Sequence, residues 1–424
     1  MENALLIHNK HWQNKPFEIP IKRDLLTKLL KFNSSKEISI ISGIRRSGKS
    51  SILKLYINEL LKTADPKSIL FVNFDDPNFS EIYKYPQKIQ SIIDLSEKLT
   101  KTKVDYLFFD EIQTVDGWEK YVKNIYDAEI YKKICITGSN SKLLNSDYSN
   151  LLSGRYILNQ VFPLSISEIL NHYNFNDNLT ILQNKSAVLN LLDDVLKYGS
   201  FPEIIKKDDE QIKHEALVNY FDSILIKDCI INKNIRDNKS FKELSFYLFN
   251  NISSPYSYNS ISKAININDI SVKEYINSMS EAFLIYEISQ FSYKIKSQIK
   301  SKRKIYCIDN GLITSVSLNF SENKGQLFEN MVFTEILKYG CNEIFFYNET
   351  KECDFIIKFK NKLIAIQVCY EINNNNKERE TSGIENAIKT FSIHQSYIIT
   401  FSQSEIINQN ISIISIFEMY KIFE

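Results

Sequence analysis

Between about Glu37 and Phe162, short and almost wholly apolar runs alternate with longer mixed segments. Apolar runs of this length are typical of strands buried on both faces of a parallel sheet, and the mixed segments are long enough for covering helices. The pattern therefore predicts a five-stranded α/β domain. Its expected strands are Ile38–Ile41, Ile69–Asn73, Val104–Phe109, Ile134–Thr137 and Tyr156–Phe162.

Charge and cysteine content exclude several classes of protein. The 424 residues carry 52 basic and 51 acidic side chains, which excludes a globally basic nucleic-acid binder. The six cysteines are irregularly spaced and never form C-x-x-C, so we expect reduced thiols rather than a zinc site or a disulfide framework. No apolar run approaches the roughly 18 residues that spanning a bilayer needs. We therefore expect a cytoplasmic protein without a membrane partner.

A phosphate-binding loop follows the first predicted strand. Gly43-Ile-Arg-Arg-Ser-Gly-Lys-Ser50 matches G-x-x-x-x-G-K-[ST] and opens a predicted helix at Ser50–Leu61. Backbone amides of such a loop cradle phosphates at the helix N-terminus. We expect Lys49 to neutralise them and Ser50 to bind Mg²⁺, and the alternative is an incidental glycine turn. The residues expected to bind ATP are Gly43, Ile44, Arg45, Arg46, Ser47, Gly48, Lys49, Ser50 and Ser51.

Two carboxylates end the third predicted strand, Tyr106-Leu-Phe-Phe-Asp110-Glu111. In a phosphate-loop domain this arrangement is a Walker B motif. We expect Asp110 to hold Mg²⁺ and Glu111 to act as the general base on the attacking water. The alternative is a carboxylate cluster at a helix start.

Three further polar positions are expected near the nucleotide. Ser139, after the fourth strand, is the candidate that senses the γ-phosphate or the water, with Asn140 next. Arg155 could reach the γ-phosphate of a neighbouring subunit, which would imply a homo-oligomer. A role within the same chain and a plain surface arginine remain open. Arg45 and Arg46 face either the phosphate or an interface, unless they are only solvated.

The rest of the chain changes pattern. Helical spacing from about Ser165 to Asn250, including Ala187, Leu191, Leu192, Val195 and Leu196, predicts a helical lid. From Tyr258 to Ile308 we expect a helix, a second helix opened by a Ser271–Glu274 capping box, and a basic hairpin between two strands, which together suggest a winged helix. A second α/β module follows. We expect its helix at Phe328–Tyr339 and its strands at Ile344–Tyr347, Phe355–Phe359 and Leu363–Cys369.

These motifs resemble the prokaryotic AAA+ (P-loop) ATPases that carry a C-terminal restriction-endonuclease-like domain of unknown function. The resemblance implies ATP and Mg²⁺ binding, and it places Arg155 at the position of an arginine finger. Together with the pattern changes along the chain, it leads us to expect four domains: an AAA+ ATPase domain at residues 1–164, a helical lid at 165–250, a winged-helix-like domain at 251–309, and a restriction-endonuclease-like α/β domain, expected to be degenerate, at 310–424. Further matching pieces are Phe109-Asp-Glu-Ile-Gln113 followed by Trp118, Thr137-Gly-Ser-Asn140, Ser153-Gly-Arg155, Tyr198-Gly-Ser-Phe-Pro-Glu203, Lys304-Ile-Tyr-Cys-Ile-Asp-Asn-Gly311 and Leu327-Phe-Glu-Asn330.

A nuclease site of the restriction-endonuclease type would combine a helix carboxylate, Glu329 or Glu335, with Glu352-Cys-Asp354 and Gln367. Cys369 stands where active members have lysine, and Gln367 is neutral, so nuclease activity is not expected. Lys294, Lys296, Lys300, Lys302, Arg303 and Lys304 could grip phosphates. The helix Val272–Ala282 carries few base-reading side chains, so non-specific DNA and a protein partner both remain open.

Together these features predict a Mg²⁺-dependent ATPase that acts as a switch or motor. One alternative is an ATP-gated DNA-binding protein or nuclease. The other is a non-catalytic scaffold that nucleotide only stabilises.

Overall fold

The computed structural model describes residues 1–139, 151–317, 324–349 and 351–424. They divide into two compact units, Met1–Leu164 and Ser165–Glu424. Asn140, the second sensor candidate, lies outside the described residues. Within the described ranges, no helix is both long and apolar enough to cross a membrane.

The first unit is built on a parallel sheet with strand order β2-β3-β4-β1-β5. Every neighbouring pair in it is parallel, which confirms the predicted α/β architecture. Parallel pairing leaves both faces to be covered, and this explains why the strands read as continuous apolar runs. The strands are β1 Ile38–Ser42, β2 Ile69–Asn73, β3 Tyr106–Asp110, β4 Lys133–Gly138 and β5 Tyr156–Gln160.

Alternate side chains of strands β1–β4 enter two separate cores. Ile38 and Ile40 lie in the core on one face, whereas Ile41 lies in the core on the other. Each fully buried aliphatic side chain of this kind stabilises the fold by about 1.5–3 kcal/mol. The helices of this unit are α1 Glu2–His8, α2 Asp24–Lys31, α3 Lys49–Leu60, α4 Ile89–Thr100 and α5 Trp118–Asp127.

The first residues of the chain cover an edge of this sheet, which the sequence did not predict. Asn9 donates to the Phe71 carbonyl at 2.9 Å and accepts from the Phe71 amide at 2.7 Å. The Trp12 indole donates to the Ile69 carbonyl at 2.8 Å. These bonds pair backbone groups on the outer side of β2, an edge strand that would otherwise present them unpaired.

The second unit begins with a helical stretch, as predicted. Ser165 opens it with a capping box, in which its side chain accepts from the Glu168 amide. Of the positions predicted to share a helical face, Leu192, Val195 and Leu196 are buried, whereas Leu191 is half-buried and Ala187 is exposed. The helices are α6 Ile166–His172, α7 Asn178–Gln183, α8 Lys185–Tyr198, α9 Pro202–Ile205, α10 Glu210–Ser223, a π-helix Ile224–Ile231 and α11 Asn238–Asn250.

Two helices and two antiparallel strands follow, with two differences from the prediction. The second helix begins at Asp269, because Asn268 caps it by accepting from the Ser271 amide, so the predicted capping box at Ser271 is wrong. The predicted hairpin connection contains a short helix. The elements are α12 Tyr258–Ile265, α13 Asp269–Glu281, β6 Ile285–Ser289, α14 Ile295–Lys300 and β7 Arg303–Cys307.

The last part forms a mixed six-stranded sheet with order β12-β13-β11-β10-β9-β8. Its strands β8, β9 and β10 lie where the sequence predicts them. The strands are β8 Glu343–Asn348, β9 Glu352–Phe359, β10 Lys362–Val368, β11 Gln395–Thr400, β12 Glu405–Ile406 and β13 Ile411–Ser415. The helices are α15 Asn310–Val316, α16 Lys324–Lys338, α17 Lys377–Phe391 and α18 Tyr420–Phe423.

A buried aspartate joins two of the family-matching sequence pieces inside this second unit. Asp309 accepts from the Ser200 amide at 2.7 Å and from the Gly311 amide at 2.9 Å. Gly199 has φ +75°, and a Cβ there would lie 1.7 Å from the Asp309 carboxylate. The glycine is therefore required by close packing, and we assign these motif residues to the framework of the unit.

Candidate nucleotide-binding site

The phosphate loop connects β1 directly to α3. Gly48 caps the helix with φ +98°, in the left-handed region that favours glycine. A Cβ on Gly43 would lie 2.2 Å from the Val161 carbonyl oxygen. Both glycines of the motif are thus fixed by backbone geometry, and α3 directs its amino end at the loop. Within the loop Arg45 is half-buried and Arg46 is exposed.

Lys49 points its ammonium group into the loop. Its side chain is only 4% exposed, and Nζ donates to the carbonyls of Gly43 at 3.2 Å and Ile44 at 3.3 Å. Glu111 Oε1 lies 3.8 Å from the same nitrogen. A desolvated cation beside the helix N-terminus is suited to an anionic ligand.

Asp110 and Glu111 are held by Thr137 on the neighbouring strand β4. The Glu111 amide donates to Thr137 Oγ1 at 3.0 Å, and the same hydroxyl donates to Asp110 Oδ1 at 2.5 Å. Burial, and then the neighbouring Glu111 carboxylate, raise the pKa of Asp110, while a hydrogen bond with the Ser50 side chain opposes the shift. The structure therefore brings Lys49, Ser50, Asp110 and Glu111 together at the carboxyl ends of adjacent strands.

Gln113 connects Glu111 with the end of β4. Its Nε2 donates to Glu111 Oε2 at 2.5 Å and lies 3.4 Å from Ser139 Oγ. Ser139 is buried directly after β4. Sequence reasoning missed Gln113 and Thr137 as site residues. The signal for Thr137 was its place at the end of a strand expected to lie beside the Walker B strand.

An arginine from the N-terminal segment binds the backbone of the phosphate loop. Arg23 donates to the Ser47 carbonyl at 2.8 Å and to the Phe162 carbonyl at 2.7 Å. The Ser47 hydroxyl is buried and has no hydrogen-bond partner among the described residues. Because buried polar atoms are nearly always satisfied, this orphan hydroxyl in the loop fits a site built for a polar ligand.

The oxygen atoms beside the phosphate loop can be compared with the ligands that Mg²⁺ needs. Mg²⁺ prefers oxygen ligands and usually combines one or two carboxylates with phosphate oxygens and water. Ser50 and Asp110 supply a hydroxyl and a buried carboxylate side by side. No group of three or more His, Cys, Asp or Glu side chains within the described ranges is arranged to hold a metal. The residues therefore fit a metal that is held jointly with nucleotide.

Arg155 lies away from these residues. It precedes β5, and its carbonyl accepts from the amide of Ile38, the first residue of β1, at 2.8 Å. The phosphate loop follows the opposite end of β1, roughly 15 Å along a five-residue strand. The guanidinium of Arg155 instead pairs with Asp127 at 2.8 Å. Among the expected site residues that the structure describes, Arg155 is the one that does not lie near the phosphate loop.

The second unit contains a separate polar cavity of about 880 Å³. Lys304 Nζ lies 3.0 Å from Glu329, 2.8 Å from Glu352 and 4.0 Å from Asp354. Burial disfavours the charged amine, but the three carboxylates outweigh burial and raise the pKa of Lys304. The expectation that Lys304 could grip phosphates is wrong, because its side chain is only 2% exposed.

Of the other residues expected in a nuclease-type site, Gln367 lines the same cavity as Glu329, Glu352 and Asp354, and its Oε1 accepts from the Asp354 amide at 3.4 Å. Glu335 and Cys369 take other partners. Glu335 pairs with Lys338 at 2.8 Å and accepts from the Ile166 amide. Gln367 donates to Glu380 at 3.0 Å, and the Cys369 thiol donates to the Glu371 carbonyl.

Fewer basic residues around the start of β7 are available to a ligand than the sequence predicts. Arg303 is paired with Glu287 at 2.7 Å, and Lys304 is buried, so neither is available to a phosphate backbone. The exposed lysines that remain are Lys294, Lys296, Lys300 and Lys302.

Three family models match the chain. Residues 35–170 match the model described as an AAA domain. Residues 189–324 and 324–419 each match a domain of unknown function, DUF8612 and DUF4143 respectively. The expectations of a winged helix and of a restriction-endonuclease-like fold stay predictions.

Two relatives resemble the chain over most of its length. The uncharacterized protein MJ1544 of Methanocaldococcus jannaschii is 36% identical, covering 87% of this chain and 82% of the relative. An uncharacterized protein of Haemophilus influenzae is 30% identical, covering 85% and 89%. Among solved structures, the Aeropyrum pernix ORC1 protein in complex with DNA aligns over 72% of this chain and 94% of that chain at 13% identity. Its TM-score of 0.33 is too low to carry an argument. The chain belongs to the family of the M. jannaschii and H. influenzae proteins, and its N-terminal domain is an ATP-binding AAA+ P-loop domain.

Proposed function

We propose that this protein is a Mg²⁺-dependent ATPase that works as a nucleotide-driven switch or motor. The observation that carries the proposal is the convergence of Lys49, Asp110 and Glu111 at one edge of the parallel sheet. A buried cation, a metal-binding carboxylate and a second carboxylate beside one phosphate loop are the groups that transfer of a phosphoryl group to water requires.

The loop would bind the β- and γ-phosphates through its backbone amides. Lys49 now donates to two loop carbonyls, and phosphate oxygens would replace these acceptors and gain a full counter-charge. Ser50 and Asp110 would hold Mg²⁺, which when bound neutralises charge on the phosphates. The proposed contacts to nucleotide run from Gly43 to Ser51.

Glu111 would take the proton from the attacking water. Its backbone is fixed by Thr137 and one carboxylate oxygen is held by Gln113, so the other oxygen faces Lys49. Ser139, bridged to Glu111 through Gln113, would respond to the state of the γ-phosphate. Arg155 lies at the opposite edge of the sheet, so we assign it a role toward the nucleotide of a second copy of the chain.

The experiment is ATP turnover of the wild type, Glu111→Gln and Arg155→Ala across a protein dilution series. Glu111→Gln should bind Mg-ATP but lose about 10²-fold or more in turnover, because general-base catalysis contributes about 10²–10⁴-fold. Arg155→Ala should lose turnover, and wild-type turnover should fall on dilution. Lys132→Ala, which removes an exposed cation elsewhere in the unit, is the matched control for charge.

Two results would overturn the proposal. Turnover equal in the wild type and Glu111→Gln would remove hydrolysis at this site. If Lys49→Ala lowered the melting temperature in ATP and changed no activity, the protein would be a nucleotide-stabilised scaffold. Turnover independent of dilution would remove only the role of Arg155 in a second copy.

A second candidate function is ATP-gated binding of DNA. It is favoured by the four exposed lysines at 294, 296, 300 and 302. The logarithm of the binding constant for duplex DNA should fall linearly with the logarithm of the salt concentration. The slope should be at most about 4 in magnitude, because about 0.9 counterion is released for each phosphate that a lysine neutralises. Absent or salt-independent binding at low ionic strength would remove this candidate. Cleavage is not proposed, since Cys369 occupies the lysine position expected for a nuclease.

A further inference from the structure

The connection between β6 and β7 exposes apolar and basic side chains together. Tyr293, Ile295 and Ile299 are 70%, 72% and 66% exposed. Ile295 and Ile299 are four residues apart on α14, so they share one face of that helix. Scattered exposed apolar residues are ordinary, but three within seven residues form a patch that is a candidate interaction surface.

Four lysines surround this patch. Lys294, Lys296, Lys300 and Lys302 are all exposed, and none of their ammonium groups is paired with a carboxylate in the part of the chain that the structure describes. The nearest acidic residues in sequence are Glu287 and Asp309, of which the first is engaged by Arg303 and the second is buried. The patch therefore complements a surface that is negatively charged and can also bury apolar side chains.

We propose that the Tyr293–Lys302 segment docks on the surface of an anionic lipid bilayer. The isoleucines would enter the boundary between headgroups and acyl chains, and the lysines would remain among the anionic headgroups. The expectation of no membrane partner rested on the lack of a spanning run, and peripheral docking needs none. This inference does not depend on ATP hydrolysis.

Nucleic acid is a poorer occupant of the same surface. A phosphate backbone would use the lysines but would leave the two exposed isoleucines in water. The preceding helix α13 adds no cation to a DNA footprint, because Lys273 is paired with Asp269 at 3.1 Å and Glu274 and Glu281 lie on the same helix.

A protein partner is also less well matched. A stable protein interface takes about 800 Å² and roughly 20–30 residues from each side. The segment from Tyr293 to Lys302 has ten residues, and its apolar contribution comes from three side chains. Lipid insertion needs only the side chains that penetrate the surface.

The test is co-sedimentation of the full chain with phosphatidylcholine vesicles that contain or lack phosphatidylserine. The wild type should bind only the vesicles with phosphatidylserine. Lys296→Ser with Lys300→Ser should lower partitioning about 25-fold, since each lysine near such a surface contributes about fivefold. Ile295→Ser with Ile299→Ser should lower it about 10²-fold, since burial of each isoleucine contributes at least about tenfold.

A matched control is available on another helix of the same unit. Leu179 and Leu182 on α7 are 64% and 67% exposed, so Leu179→Ser with Leu182→Ser removes a similar apolar area. This control should bind vesicles as the wild type does. The proposal is overturned by any of three results: no binding to phosphatidylserine vesicles, unchanged binding by the isoleucine pair variant, or an equal loss in the control. Loss of duplex-DNA binding in the lysine pair variant, without vesicle binding by the wild type, would assign the segment to nucleic acid instead.

Discussion

The hydroxyl of Thr137, on strand β4, holds both Asp110 and Glu111 of the nucleotide site in place. Because it accepts from the Glu111 amide, its proton is directed at Asp110, at 2.5 Å. Thr137→Val keeps the shape of the side chain but removes both bonds. A hydrogen bond to a charged group contributes about 1.5–3 kcal/mol, and the loss leaves Asp110 buried without this donor. We expect the unfolding free energy to fall by about this amount.

For a unit of this size, each kcal/mol lowers the melting temperature by about 2–4 °C, so the expected shift is about 3–12 °C. The assay is thermal unfolding with and without Mg-ADP, and the nucleotide-dependent increase should shrink as well. Thr137→Ser keeps the hydroxyl and is the matched control. A melting temperature for Thr137→Val within about 1 °C of the wild type would refute the reasoning. So would a Thr137→Ser variant as unstable as Thr137→Val.

Three further outcomes follow from other contacts. Burial lowers the pKa of His11 to about 4, from 6.5 in the unfolded chain. The neutral imidazole therefore contributes its full stabilisation above pH 6.5, and about 3 kcal/mol of unfolding free energy is lost as the pH falls to 4. Urea unfolding should show a lower unfolding free energy at pH 5 than at pH 7, and a His11→Gln variant should lack this decrease. Lys133 donates to three backbone carbonyls, at 2.8, 3.1 and 2.8 Å. Lys133→Met should lower the unfolding free energy by about 3–5 kcal/mol in urea unfolding, because it removes three hydrogen bonds from a charged donor, whereas the exposed Lys132→Met should change it little. Asp127→Asn should leave the unfolding free energy nearly unchanged, since exposed ion pairs contribute little, but it releases Arg155 and should raise turnover per chain at high protein concentration. Unchanged turnover would mean that Asp127 does not restrain this arginine.

The strands of the first unit could be predicted closely because their signal is local. A strand that is buried on both faces reads as one apolar run, and β2 begins and ends at the predicted residues. The phosphate loop is equally local, since its glycines, lysine and serine lie within eight positions. The expected start of α13 was wrong because Asn268 and Ser271 can both cap a helix, and only the hydrogen bond to the Ser271 amide shows which one does.

Positions that depend on distant residues could not be predicted in this way. Lys304 belongs to a basic run in the sequence, yet its ammonium group is buried among carboxylates at positions 329, 352 and 354. Arg155 follows the pattern of a finger, but the parallel pairing of β1 and β5 places it at the edge of the sheet opposite the phosphate loop.

The sequence by itself determined the α/β class of the first unit, the phosphate loop and the Walker B carboxylates, because each is encoded by residues that are neighbours in the chain. The tertiary structure decided which hydroxyl orders those carboxylates, which basic residues remain exposed, and how the first residues cover β2. These features depend on strand order and on the burial of charge, and both arise only when segments far apart in the sequence pack together.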